Sequence, residues 1–176
     1  MSQRFKILMI ATAVASAFIP ASASAGAAKG NLVAAAMQSQ EHQTLVAALK
    51  AAGLVDTLSG RGPFTVFAPT DAAFGKLPAG TAETLLKPAN RDKLRSVLTY
   101  HVVPGKITSS QLLEAIREGG GRATLKTVQG GTLTASLSGG MVVITDAGGG
   151  TAIVTKPDLV QSNGVIHVTD AVSLPM

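Results

Sequence analysis

Three histidines, His42, His101 and His167, ten acidic side chains and no cysteine are the main groups with which this chain could do chemistry. The lack of cysteine excludes disulfides, thiolate metal sites, cysteine nucleophiles and an anchor built on a lipidated cysteine. A metal site wants three or four converging ligands, which three histidines scattered along the chain supply poorly. His101 has two readings, a catalytic base or metal ligand and a buried, neutral, hydrogen-bonded histidine, and the second is the expectation. His42 stands beside Glu41 at the start of a helical stretch and reads as a surface histidine. Known catalytic patterns are missing. The serine nearest to a nucleophile elbow reads Gln161-Ser162-Asn163-Gly164, there is no H-E-x-x-H, and no glycine run leads into Lys-Ser or Lys-Thr. No spacing of carboxylates suggests an acid–base pair. The chain is therefore expected not to be an enzyme, and no cofactor or metal is expected.

The elements that must position these residues fall into two halves. Asn31 is placed to cap a helix beginning at Leu32. Leu45, Leu49 and Ala52 share a helix face, and Gly53 is placed to end that helix. Pro63 precedes Phe64-Thr65-Val66-Phe67, a strand in which Phe64 and Val66 share one face and Thr65 and Phe67 the other. Pro69 and Thr70 open a short helix through Phe74, with Thr70 or Asp71 accepting a backbone N–H at its start, and Phe67 is expected to cluster with Phe74. A second short helix spans 81–87. A third is capped by Asn90, with Leu94, Val97 and Leu98 on one side. Tyr100 to Val103 reads as a strand turned by Pro104-Gly105. Thr108-x-x-Gln111 is a capping box for a helix carrying Leu112, Leu113 and Ile116, ended by Gly119-Gly120-Gly121. Strands are then expected at 122–128, 132–137, 141–145, 151–156 and 165–169, with glycine-rich turns between them. Asn163-Gly164 is expected to supply the positive φ of a tight turn. Beyond it, Val165, His167 and Thr169 fall on one face, and Ile166 and Val168 on the other. Helices first and antiparallel strands later is an α+β pattern with one core.

The first residues read as an export leader. Arg4 and Lys6 precede a short apolar run, Pro20 ends it, and Ala21-Ser22-Ala23-Ser24-Ala25 offers two cleavage sites. Cleavage after Ala25 is expected, giving a signal peptide over 1–25 and a secreted or periplasmic product with no later membrane span. Losing Arg4 and Lys6 lowers the formal charge from the +5 of the whole chain. The remaining bases are scattered, apart from a loose cluster at Arg91, Lys93 and Arg95 that reads as a solvated helix face. With no tryptophan and one tyrosine, stacking platforms for bases or sugars are scarce, and nucleic acid is not an expected partner.

Three segments together resemble a known family. Thr65-Val66-Phe67-Ala68-Pro69-Thr70-Asp71-Ala72-Ala73-Phe74 resembles the first signature of fasciclin (FAS1) domains. Tyr100-His101-Val102-Val103-Pro104-Gly105 resembles their tyrosine–histidine segment. Asn163-Gly164-Val165-Ile166-His167-Val168-Thr169-Asp170 resembles the second signature, and Leu174-Pro175 closes the domain. The resemblance covers residues 29–175 as a single domain. It implies a β-wedge of antiparallel strands with helices packed around one side. Thr70, Asp71, Tyr100, His101, Asn163, Gly164 and His167 become structural motif residues, with Thr70 or Asp71 as the partner of His101. It also implies a non-enzymatic cell-adhesion or extracellular interaction module whose partner is a cell-surface or matrix protein.

Animal fasciclin domains recognise integrins through an Asp followed by an aliphatic residue, and Asp158-Leu159 matches that dipeptide. The pair is expected on a loop that projects from the sheet, where replacing Asp158 would leave the fold largely intact. The plainer reading is that Asp158 caps a turn and Leu159 anchors it in the core. The alternative function is a carrier of an apolar small molecule such as a carotenoid or lipid, since some secreted algal members of the family bind carotenoids. A third class is a hydrolase with His101 or His167 as base.

Overall fold

The computed structural model describes residues 30–175. The expected leader, and residue 29 at the start of the expected domain, lie outside the described residues. Local capping signals act as expected over the first helices. α1 (Leu32–Gln38) starts where Asn31 Oδ1 accepts the Ala34 N–H at 2.8 Å. α2 (Gln43–Ala52) buries Leu45, Ala48, Leu49 and Ala52 and stops at Gly53, whose φ of 69° lets its N–H return to the last carbonyls of the helix. α3 (Val55–Ser59) and β1 (Phe64–Pro69) follow. Thr70 then caps α4 (Asp71–Gly75) by accepting the Ala73 N–H. α5 (Thr81–Leu86) ends in a 3-10 turn over Pro88–Asn90. Asn90 precedes α6 (Arg91–Tyr100), but its side chain donates to the Thr84 carbonyl at 2.7 Å rather than capping the helix. β2 (Val102–Pro104) is short. α7 (Ser109–Glu118) opens on the Thr108–Gln111 capping box.

The remaining strands are β3 (Arg122–Lys126), β4 (Thr132–Ser138), β5 (Met141–Thr145), β6 (Thr151–Gln161) and β7 (Gly164–Thr169). They form one seven-stranded sheet in the order β2-β1-β7-β6-β5-β4-β3. Neighbours pair antiparallel except β1 and β7, which run parallel from Phe64↔Gly164 to Pro69↔Thr169. The first and second signature segments therefore lie side by side inside the sheet, next to its β2 edge. All six residues of β7 are buried, so both faces of this strand are covered.

Alternation along β1 sends its side chains into two separate cores. Val66 and Ala68 join Ile166 and Val168 under α1, α2, α4 and α6. Phe67 faces the other way, among Tyr100, Val103, Ala123, Leu125, Leu133, Ala135, Ile144 and the Leu112 and Ile116 of α7. This is the expected α+β wedge, with α7 lying on the side opposite most other helices. Two local expectations change. Tyr100 ends a helix rather than starting a strand. Phe67 does not cluster with Phe74, because successive strand faces separate them. Phe74 packs in the first core, while Phe67 stacks on His167 with ring centroids 5.5 Å apart.

Candidate functional site

The motif residues act as ties between segments distant in the chain. Tyr100, 1% exposed, donates its hydroxyl to the Thr132 carbonyl at 2.7 Å and accepts the Ala147 N–H at 3.0 Å. His101 lies 2.8 Å from the Val97 carbonyl through Nδ1, and its Nε2 accepts the Ser173 N–H at 3.0 Å. A carbonyl only accepts, so Nδ1 carries the proton and the ring is neutral with both nitrogens used. Burial pushes its pKa down, against the Val97 carbonyl and the charge of Asp146. His101 is thus the expected buried histidine, but it holds the C-terminal segment rather than Thr70 or Asp71. Asp71 turns instead to α2, where its carboxylate accepts the Thr44 N–H at 2.7 Å and the Gln43 N–H at 3.3 Å. Asn163 accepts the Leu32 N–H at 2.9 Å and donates to the Leu58 and Gly60 carbonyls.

Gly164 is not among the glycines with positive φ. Its lack of a side chain serves close approach, because a Cβ there would fall on the Phe64 carbonyl. His167 is fully buried, with Nε2 2.8 Å from the Ile107 carbonyl and Nδ1 accepting the Asp158 N–H at 3.3 Å. The same reasoning makes it neutral, and burial pushes its pKa down.

The Asp158-Leu159 pair does not sit on a projecting loop. β6 continues through Gln161 and stays paired with β7, with irregular register on both sides of Lys156. Pro157 has no N–H to offer the ladder, and Asp158 takes a φ of 59°, which Asp tolerates better than most residues. The irregularity turns Asp158 toward α7. Its carboxylate accepts the Ser109 N–H at 2.6 Å and the Ser109 hydroxyl. Burial raises this carboxyl's pKa, but the Ser109 bonds outweigh that and hold it low. Asp158 thus places a negative charge at the N-terminus of a ten-residue helix, where it is favourable. Leu159 does not anchor in the core; it is 41% exposed.

Asp158→Ala is expected to cost about 1–2 kcal/mol, as the loss of a helix cap does. Urea unfolding measures it. An unchanged midpoint would show that the Ser109 contact adds nothing to stability. This replaces the expectation that the residue is a neutral surface position.

His42 is the largest departure from the sequence reading. It is 4% exposed, with Nδ1 2.7 Å from Ser39 Oγ. Its signal was the spacing His42, Leu45, Leu49, which puts the ring on the buried face of α2. Burial lowers its pKa, opposed by the charge of Glu41, the Ala68 carbonyl and Asp71, and aided by Lys156. Among the described residues no hydrogen-bond partner orients the ring of the Ser39–His42 pair through its other nitrogen, the role that the third member of a triad fills. Among the described residues no group of three acidic or histidine side chains is placed to hold a metal ion.

Three residues before Leu159 on β6, Lys156 forms an exposed ion pair with Glu41 at 2.9 Å. Leu159 itself lines an open groove of about 400 Å³ with Gly30, Ala35, Gln38, Asp158, Val160 and Gln161. Among the described residues no helix is long and apolar enough to cross a membrane.

Comparison with known proteins places this arrangement. The family model for the fasciclin domain matches residues 40–175. Protein sll1483 of Synechocystis is 50% identical over 144 residues, covering 82% of this chain and 73% of that protein. The cell surface glycolipoprotein MPB83 of Mycobacterium bovis is 35% identical over 156 residues, covering 86% of this chain and 63% of that protein. A FAS1 domain pair from the insect cell adhesion molecule Fasciclin I superposes with a TM-score of 0.72 at 21% identity. It covers 81% of this chain, which spans 50% of that structure, and it shows a shared fold. With three signature segments meeting in one sheet and a family model spanning most of the sequence, the chain belongs to the fasciclin domain family.

Proposed function

We propose that this chain is a non-enzymatic adhesion or interaction module that acts in the periplasm or outside the cell after loss of its leader. Its partner is a cell-surface or matrix protein, met by a patch centred on Leu159. Two relatives support the setting by their names, one a cell surface glycolipoprotein and the other a cell adhesion molecule. The observation that carries the reading is the use of polar groups. Tyr100, His101, Asn163 and His167 spend their hydrogen bonds inside the fold. Leu159, by contrast, stands exposed on a strand whose backbone is fixed by β7 and by Asp158. A rigidly held, exposed aliphatic side chain is a suitable anchor for a partner surface. Asp158 belongs to the patch as the residue that sets the backbone of Leu159, since both its oxygens already face Ser109.

A strain lacking the protein tests this. Attachment to a surface or to neighbouring cells should fall and return with the wild-type gene. Leu159→Glu should fail to restore it while shifting stability by less than about 0.5 kcal/mol. Attachment that is indifferent to the deletion would end the adhesion reading, and full rescue by Leu159→Glu would move the contact elsewhere.

A further inference from the structure

His42 lines a cavity of about 50 Å³ whose other walls are Ala35, Ala36, Ser39, Ala68, Leu159 and Ile166. Nδ1 is engaged by Ser39, but Nε2 is buried with no hydrogen-bond partner among the described residues. A buried polar atom without a partner is costly, and most such atoms in folded proteins are satisfied by protein or by water. Water fits this cavity poorly. A buried water wants two to four polar partners, while the wall offers only the His42 nitrogen, the Ala68 carbonyl that acts on the ring, and Ser39, already bonded to the ring and to the Glu41 N–H. Leu159, 41% exposed, and Ala35 line both this cavity and the open groove along β6 and α1.

We propose that this cavity is a binding site for the hydroxyl end of a slender, unbranched apolar molecule, a primary alcohol, whose chain lies in the groove past Leu159. Three features select that chemistry. The walls take methylene groups and exclude bulk, because about 50 Å³ has no room for a ring. The charge environment opposes an ion: a carboxylate or ammonium head would lose its hydration and meet a single nitrogen in return. The Ser39 hydroxyl can donate to Nδ1 or accept from it, so Nε2 is either an N–H donor or a bare acceptor. A hydroxyl donates and accepts, and matches both tautomers. Burial keeps the ring neutral at neutral pH despite Glu41 and Asp71 nearby. The site shares Leu159 with the proposed partner patch but does not rest on that reading, and it gives the carrier alternative a defined pocket.

The test is a titration of the leader-less protein with n-butanol, n-pentanol and n-hexanol, followed by nitrogen NMR of the histidine rings. The His42 Nε2 signal should shift and saturate, while the His101 and His167 signals stay in place. n-Pentane should bind about tenfold more weakly than n-pentanol, because it leaves Nε2 unpartnered. His42→Phe, which fills the cavity and removes the nitrogen, should abolish n-pentanol binding. The pentane comparison uses wild-type protein alone, so it stands even if the variant folds poorly. A His42 signal unmoved by any alcohol overturns the proposal. So does equal binding of n-pentane and n-pentanol, or a resident water that stays in contact with His42 at saturating alcohol. The readout is a small molecule at one ring nitrogen, so it is separate from any attachment assay.

Discussion

Gly164→Ala is expected to cost about 3 kcal/mol or more and to leave much of the protein unfolded. The first residue of β7 sits opposite Phe64 in the parallel pair and opposite Gln161 in the antiparallel one. A methyl group on Gly164 would overlap the Phe64 carbonyl oxygen and come within 2.8 Å of its carbon and 3.0 Å of its nitrogen. These are backbone atoms of a buried strand, so no rotamer change relieves the overlap. Either β1 moves away from β7, opening the seam between the two cores, or the register breaks. The comparison is Gly75→Ala, where an added Cβ meets nothing within 4 Å and the φ is not positive. That variant should unfold within about 0.5 kcal/mol of wild type. Urea midpoints of the two, measured side by side, decide the matter. A Gly164→Ala protein as stable as Gly75→Ala would mean that β1 and β7 do not approach each other as closely as described.

The same position shows where the sequence stops being readable. Asn-Gly is a turn signal, and a turn does stand there, but the glycine is needed for a strand that comes from about a hundred residues earlier in the chain. Features set by neighbours in the chain were legible. The Asn31 cap, the Gly53 stop and the Thr108–Gln111 box each involve partners within one helical turn. Alternation assigned the two faces of β1 correctly, yet it could not say that the two faces feed two cores, and Phe74 was placed with the wrong one. Side-chain ties across the chain were not legible. His101 finds Ser173, Asp71 finds Thr44, and Asp158 finds Ser109. Each tie uses a backbone N–H, which any residue type presents, and only Ser109 adds a side-chain hydroxyl, so no pattern of residue types marks the partners. The segment expected as a loop at Asp158 is strand, although Pro157 argues against a central ladder. The irregular register of β6 absorbs that proline and makes the helix cap possible.

Acid should destabilise the domain in two steps. His42, His101 and His167 all have pKa values lowered from 6.5, with burial the largest cause in each. Above that value the histidines are neutral in both the folded and the unfolded chain, and stability does not change on their account. Below it the unfolded chain takes up protons that the folded one refuses. Stability therefore falls with falling pH, and continues to fall until the folded pKa values are reached. Three protons set a limit of about 4 kcal/mol per pH unit on the steepest slope, each contributing about 1.4. The second step belongs to Asp71, Asp158 and Asp170. Burial raises their pKa values, but hydrogen bonds from Thr44 and Gln43, from Ser109, and from Ile153 with Lys76 hold them below 3.8. Their stabilisation is present above that value and is lost as pH falls beneath it. Urea midpoints taken from about pH 8 down to about pH 3 should be level at first, decline below about pH 6.5, and decline again below about pH 4. His101→Gln isolates the histidine contribution. It should lower stability at every pH, and it should also reduce the slope of the first decline by about a third, since one of three protons no longer participates. A midpoint that holds steady from about pH 7 to about pH 5 would mean that the buried rings take up protons without unfolding, and the neutral, doubly bonded state of His101 and His167 would then be wrong.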